Sequence, residues 1–173
     1  LGFSFTAIGS DIDESVIQHE DPISYVKRMA IEKAQKQNTK SNTIVLGSDT
    51  CVVFNNHILG KPTDFNDANA MLSMLSGNTH QVLTAIAVAQ QDDVSVEVVT
   101  TNVTFETLSH QEIMNYWQTD EPKDKAGSYG IQGIAGQFVT SIEGSYSAVV
   151  GLPLYETAQL LAKHSCPSPM MKN

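Results

Sequence analysis

Leu46-Gly47-Ser48-Asp49-Thr50, followed eleven residues after Thr50 by Lys61 in Leu59-Gly60-Lys61-Pro62, is the stretch on which the fold reading turns. An apolar run that stops at Ser-Asp-Thr reads as a buried strand that delivers a charged group to the rim of a sheet. Open α/β folds gather their chemistry at such strand ends. Thr43 to Ser48 and Cys51 to Phe54 are strand-like, Asn55-Asn56 supplies a hairpin turn, and His57 to Leu59 returns before Lys61. One carboxylate and one ammonium are thereby expected where two strands end.

Helices are expected on either side of this hairpin. Upstream, Asp21 caps a helix whose first position is Pro22 and whose apolar face runs through Ile23, Val26, Met29 and Ala30 toward Gln37. Lys33 falls in the middle of that face, so its ammonium must either snorkel to water or meet an anion, and Asp49 across the sheet is a candidate. Downstream, Asp64 caps a helix with Phe65, Ala68, Met71, Leu72 and Leu75 on one side, and Gly77 ends it. Thr79 to Ala89 and Val94 to Leu108 alternate around an Asp92-Asp93 turn, as a long antiparallel pair would. Ser109-His110-Gln111-Glu112 opens a further helix with a capping box.

The remaining segments read less sharply. Residues 3–8 alternate weakly and read as a strand, followed by an acidic loop from Ser10 to Ser15 that contains Glu14. Asp120 to Gly136 is rich in charge and glycine, the composition of a loop whose backbone approaches a ligand or of a plain connection. Gln137 to Ile142 and Tyr146 to Val150 read as a hairpin joined by Glu143-Gly144-Ser145. Pro153 starts a last helix, and the chain from His164 is expected to be loose. Helices alternating with both parallel-type and antiparallel strands give an α/β (α+β) class, with a single domain built on a central mixed, twisted sheet flanked by helices.

Length and composition bound the function. With 173 residues, 41% of them hydrophobic, the chain suits one well-covered core. No apolar stretch approaches the roughly 18 residues of a membrane span, and no basic-then-apolar leader opens the sequence, so a soluble, cytoplasmic protein without membrane contact is expected. A net charge of −9, with Arg28 the single arginine, argues against stable binding of nucleic acid. Cys51 and Cys166 lack any metal or redox spacing and read as reduced and incidental.

Several familiar sites are excluded. Asn55 and Pro62 stand where a Walker loop around Gly60-Lys61 needs glycine and a hydroxyl residue, the glycines at 127, 130, 133 and 136 miss the dinucleotide spacing, and no GxSxG elbow occurs. The five histidines are scattered without zinc-ligand spacing. What remains is a set of carboxylates (Glu14, Asp49, Asp124) and lysines (Lys33, Lys61, Lys125) at element ends or on inward faces. Such a set suits a phosphate ester bound with Mg²⁺: the ion takes one or two carboxylates plus substrate oxygens, and lysines neutralise a departing pyrophosphate. Asp49 would then deprotonate a water or hold the metal.

In this order and spacing, Asp13-Glu14-Ser15, Glu32-Lys33-Ala34, Leu46 to Thr50, Leu59 to Pro62, Leu75-Ser76-Gly77-Asn78-Thr79-His80, Asp124 to Gly133, Gly144-Ser145-Tyr146 and Val150 to Leu154 resemble the Maf-like nucleoside triphosphate pyrophosphatases. The resemblance covers almost the whole chain, with a domain at 1–165 and a tail at 166–173. It implies a fold similar to Maf and inosine triphosphate pyrophosphatases, and hydrolysis between the α and β phosphates with Mg²⁺ or Mn²⁺ as the divalent cation. Asp49 aligns with the catalytic acid/base residue; Glu14, Lys33 and Lys61 align with the polar site, in which Asp49 and Glu14 are the expected metal carboxylates and Lys125 a substrate contact. Thr50 and Gln132 fall where the dTTP- and UTP-acting subfamily sets base choice, in contrast to relatives acting on 7-methylguanosine triphosphate. The resemblance further implies a homodimer and a house-cleaning role that removes noncanonical or excess pyrimidine nucleotides from the precursor pool. The family usually begins with a short strand and a Ser-rich loop ending in Pro-Arg-Arg, and this sequence starts after that point. A nucleotide-sensing or nucleic-acid-binding regulator of septum formation, and a pyrophosphatase for deaminated purines, are the competing expectations.

Overall fold

The computed structural model describes residues 1–38 and 43–170. Five strands form one sheet: β1 (Val45–Phe54), β2 (His57–Leu59), β3 (Thr79–Gln90), β4 (Asp93–Phe105) and β5 (Val139–Glu143), in the order β2-β1-β3-β4-β5. Five α-helices accompany it: α1 (Pro22–Gln37), α2 (Phe65–Leu75), α3 (His110–Trp117), α4 (Tyr146–Val150) and α5 (Leu154–Lys163). The α/β (α+β) class and the helix-flanked single sheet expected from the sequence are both present. The expected mixture of strand directions is not found among the described strands, whose four ladders are all antiparallel. Two tight turns, at Asn55-Asn56 and at Gln91-Asp92, reverse the chain directly, and α2 carries it from β2 back to the far side of β1, where β3 runs antiparallel to β1.

The period of two along the strands sorts side chains into two layers. Cys51, Val53, Leu83, Ala85, Ala87 and Ala89 lie under Val26, Ala30 and Ala34 of α1. The opposite face of the sheet, through Val52, Val82, Val103 and Phe105, packs on α2, α3 and the loop around Tyr129, and Ile86 and Val88 pack on Leu160 and Leu161 of α5. At about 25 cal/mol per Å² of apolar surface, this two-sided burial is the main stabilising term. Among the described residues, no helix is long and apolar enough to cross a membrane.

Three local expectations are corrected. Residues 3–8 make no strand, and Phe5 and Ile8 are exposed. Tyr146–Val150 is helix α4 rather than the second arm of a hairpin, since the Ser145 side chain caps it by accepting from Ala148 N–H at 3.2 Å and Gly151, at φ 122°, ends it. The chain after His164 is packed as far as Ser168: His164 and Ser168 are buried, the His164 ring bonds to Ser95 Oγ at 2.9 Å, and Ser168 Oγ donates to the Leu1 carbonyl. Residues 171–173 of the expected tail lie outside the described residues.

Candidate functional site

Only Val52, Val53 and Phe54 of β1 are paired with β2, so from Val45 to Cys51 the edge away from β3 carries no described strand. Asp49 and Thr50 sit on this open edge, pointing to opposite faces of the sheet.

On the α1 face, the helix comes unusually close. The Asp21 carboxylate starts α1 by accepting from Ile23 N–H at 3.0 Å and Ser24 N–H at 3.1 Å, and the helix then lies so near β1 that a Cβ on Gly47 would collide with the Ala30 carbonyl and the Ala34 amide. That approach brings Lys33, between those two alanines, to the strand edge. Its Nζ donates to Asp49 Oδ1 at 2.6 Å and meets Glu14 Oε1 at 2.8 Å. The anion the inward lysine required is therefore present. Of the two carboxylates, Asp49 is the enclosed one, its side chain 11% exposed against 47% for Glu14.

Glu14 reaches this point because its loop is fastened to α1. The Arg28 guanidinium forks onto Glu20, with Nε–Oε1 and Nη2–Oε2 both 2.7 Å, and donates to the Ser15 carbonyl at 2.9 Å. Tyr25 OH donates to the Glu14 carbonyl at 3.0 Å. The sole arginine thus serves as a loop anchor. The Lys33 hydrogen bond holds Glu14 below the ordinary glutamate range, against a smaller opposing effect of burial. Burial raises Asp49 above its ordinary value of 3.8; Lys33 opposes the rise and the Glu14 charge adds to it. Lys33 itself is raised: burial works against its charge, and the bonds to Asp49 and Glu14 outweigh it.

On the other face, a cleft of about 530 Å³ is lined by Thr50, Lys61, Glu121, Asp124, Lys125 and Gln132, with Tyr129, Gly130 and Gly133 among its further walls. Lys61 enters it directly after β2. Gly127 N–H donates to the Gly60 carbonyl at 3.0 Å, and Gly127, at φ 66°, presses so close to Val52 that a side chain would not fit. The glycine-rich segment is a wall of the cleft built from short 3-10 turns rather than a loose connection. Lys125 Nζ is 2.6 Å from Asp124 Oδ1, and that bond holds the Asp124 carboxyl low. Lys61 is exposed, and its charge acts on Glu14, Asp49 and Asp124 together. It stands between the two clusters.

Glu14, Lys33 and Asp49 are therefore brought together on one face, and Thr50, Lys61, Lys125 and Gln132 on the other. Glu121 and Tyr116 are the residues that sequence reasoning missed. Glu121 accepts from Ile134 N–H at 2.9 Å, Ala135 N–H at 3.3 Å and Tyr116 OH at 2.8 Å, and Tyr116 OH accepts from Gly130 N–H at 3.2 Å. This network grips both flanks of Ile131-Gln132-Gly133. A glutamate just before Pro122 at the entry to a glycine-rich loop was the available signal.

No group of three or more His, Cys, Asp and Glu side chains that could hold a metal occurs among the described residues. Asp49 and Glu14, the two carboxylates that meet Lys33, are the pair that could offer oxygens to a divalent cation which takes its remaining ligands from substrate and water.

Comparison with known proteins finds relatives over most of the chain. The chain is 58% identical over 168 residues to a protein of Colwellia psychrerythraea, covering 94% of this chain and 79% of the relative. It is 60% identical over 163 residues to one of Pseudoalteromonas translucida, covering 93% and 86%, and 51% identical over 165 residues to one of Vibrio cholerae, covering 94% and 88%. Each of the three relatives bears the name dTTP/UTP pyrophosphatase. The family model for Maf-like protein matches residues 1–164. This chain belongs to the Maf-like protein family.

Proposed function

We propose that this protein hydrolyses pyrimidine nucleoside triphosphates, dTTP and UTP first among them, between the α and β phosphates to the monophosphate and pyrophosphate. The observation that carries the reading is Lys33 bridging Asp49 and Glu14 at the open edge of β1, with the Lys61 and Gln132 cleft against the reverse face. The shared name of relatives at 50–60% identity supports turnover over a regulator that only binds nucleotide.

In this reading the enclosed Asp49 carboxylate accepts the proton of the attacking water; its raised proton affinity makes it a better base than an exposed aspartate. Lys33 orients that carboxylate and, with Lys61 and Lys125, meets the negative phosphate oxygens as charge moves onto the leaving pyrophosphate. Asp49 and Glu14 are the carboxylates that would hold Mg²⁺ or Mn²⁺, which supplies Lewis-acid neutralisation of the phosphates. Thr50 and Gln132 face the base, where the Gln132 amide offers one donor and one acceptor to the N3–H and a carbonyl of uracil or thymine. The protein acts in the cytoplasm as a homodimer, clearing excess or noncanonical nucleotides; its charge of −9 is unsuited to a nucleic-acid backbone.

A pyrophosphate-release assay over dTTP, UTP and purine triphosphates with Mg²⁺ tests the reading, with Gln132→Ala beside the unaltered protein. Release from dTTP and UTP above the purines, and loss of that preference in Gln132→Ala, is the expected result. Tight nucleotide binding without product would overturn it in favour of the sensor, and an unchanged profile in Gln132→Ala would remove Gln132 as the base reader.

A further inference from the structure

A glutamine cannot by itself tell uracil from cytosine. Its amide turned over by 180° presents the reversed donor and acceptor order, which pairs equally well with the N3 lone pair and amino group of cytosine. Rejecting cytosine requires a polar group whose direction is fixed.

Thr50 lines the cleft, and its hydroxyl lies 2.9 Å from the hydroxyl of Thr84. Either oxygen could donate in that pair taken alone. Thr84, however, is fully buried, and its Oγ1 donates to the Ala148 carbonyl at 2.7 Å. A hydroxyl has one proton. With the Thr84 proton committed to α4, the bond between the threonines must be donated by Thr50, so the Thr50 hydrogen points into the protein and its oxygen lone pairs remain for the cleft. Register and helix position enforce this order, since Thr50 sits directly across from Thr84 in the β1–β3 ladder and Ala148 belongs to α4 above it.

We propose that Thr84 is a positioning residue that locks the Thr50 hydroxyl as a hydrogen-bond acceptor toward the cleft, and so selects pyrimidines that carry an N3–H over cytosine. The inference rests on the reading of the cleft as a nucleotide base site. Uracil and thymine share N3–H between the Gln132 carbonyl and the locked Thr50 oxygen as a three-centre bond; cytosine, even with the Gln132 amide turned over, would oppose its N3 lone pair to that of Thr50 and leave a buried acceptor unpaired. Freed from Thr84, the Thr50 hydroxyl can rotate and donate to cytosine N3 instead.

The experiment compares kcat/KM for UTP and CTP in the unaltered protein, Thr84→Val and Thr84→Ser. The valine is nearly isosteric but accepts no hydrogen bond; the serine keeps the relay. Thr84→Val is expected to lower the UTP over CTP preference by about tenfold or more, and Thr84→Ser to retain it, an outcome that a merely structural role would not produce. Thr84→Ala, which cannot overpack the site, serves the same comparison if the valine variant does not fold. A UTP over CTP preference unchanged in folded Thr84→Val or Thr84→Ala overturns the inference while leaving the pyrophosphatase reading intact, and so does an unaltered protein that treats UTP and CTP alike. An unaltered protein that releases pyrophosphate from no triphosphate overturns the functional reading and this inference with it.

Discussion

His80 should make the protein lose stability in mild acid. It lies on β3, 2% exposed, with its ring edge-on to Phe105 and Tyr129, and Nε2 bonds to Tyr129 OH at 2.8 Å. Nδ1 has no hydrogen-bond partner among the described residues. A protonated ring would need acceptors for two N–H groups in an apolar setting, and burial accordingly lowers its pKa from 6.5 to about 4. Below pH 6.5 the unfolded chain takes up a proton at this position, whereas the folded protein resists until about 4. The unfolded state binds more protons across that window, so the contribution is complete above 6.5 and drains away as pH falls toward 4. A drop from 6.5 to about 4, at about 1.4 kcal/mol per pH unit, amounts to roughly 3 kcal/mol. Urea unfolding of the unaltered protein and His80→Gln at several pH values between 7 and 4 measures it. The glutamine variant starts less stable and loses stability less steeply on acidification, since carboxylate titrations are common to both proteins. Curves that run parallel through the window would refute a buried neutral histidine here.

Asp49→Asn should reduce pyrophosphate release by about a hundredfold or more with little change in melting temperature, because general-base assistance is lost while the shape is kept; near-normal turnover would remove Asp49 from the chemistry. In the metal-free protein the Asp49 carboxyl, followed by NMR, should titrate above the ordinary aspartate value of 3.8 and move further up in Lys33→Met, since burial raises Asp49 and Lys33 opposes the rise; a carboxyl unmoved by that change would detach Lys33 from Asp49 in solution. Gly47→Ala should cost about 1–3 kcal/mol in urea unfolding and depress activity as well, because the new methyl meets the α1 backbone and lifts Lys33 from the strand; full activity would mean the approach is slack. Chelation with EDTA should stop turnover and added Mg²⁺ restore it; turnover that persists in EDTA would exclude the two-carboxylate metal role.

How far the sequence alone reached depended on whether its signals were local. Helix starts rested on side-chain caps, so Asp21, Asp64 and the Ser109–Glu112 box appear where expected. The Lys33 to Asp49 contact was legible because one lysine in an apolar stripe needs an anion. The second partner, Glu14, entered the site through the family resemblance and not through any local pattern, since its placement depends on Arg28 and Tyr25 tethering a loop eleven or more residues away. Tyr146–Val150 misled through its β-branched valines, although Ser145 before it and Gly151 after it were the signature of a short capped helix. The Thr50–Thr84–Ala148 relay joins three elements distant in sequence, and no local pattern announces it.

Because consecutive residues of β1 face opposite ways, the side chains to which the proposed function gives proton transfer and base choice, Asp49 and Thr50, stand on opposite faces of one sheet. Selection for a different nucleobase can rework the threonine side without disturbing the amine and carboxylates behind it. The same arrangement leaves the strand no tolerance for sliding: displacement by one position would trade Asp49 and Thr50 between the two faces, so under the proposed function the long ladder to β3 is a condition of the reaction as much as of the fold.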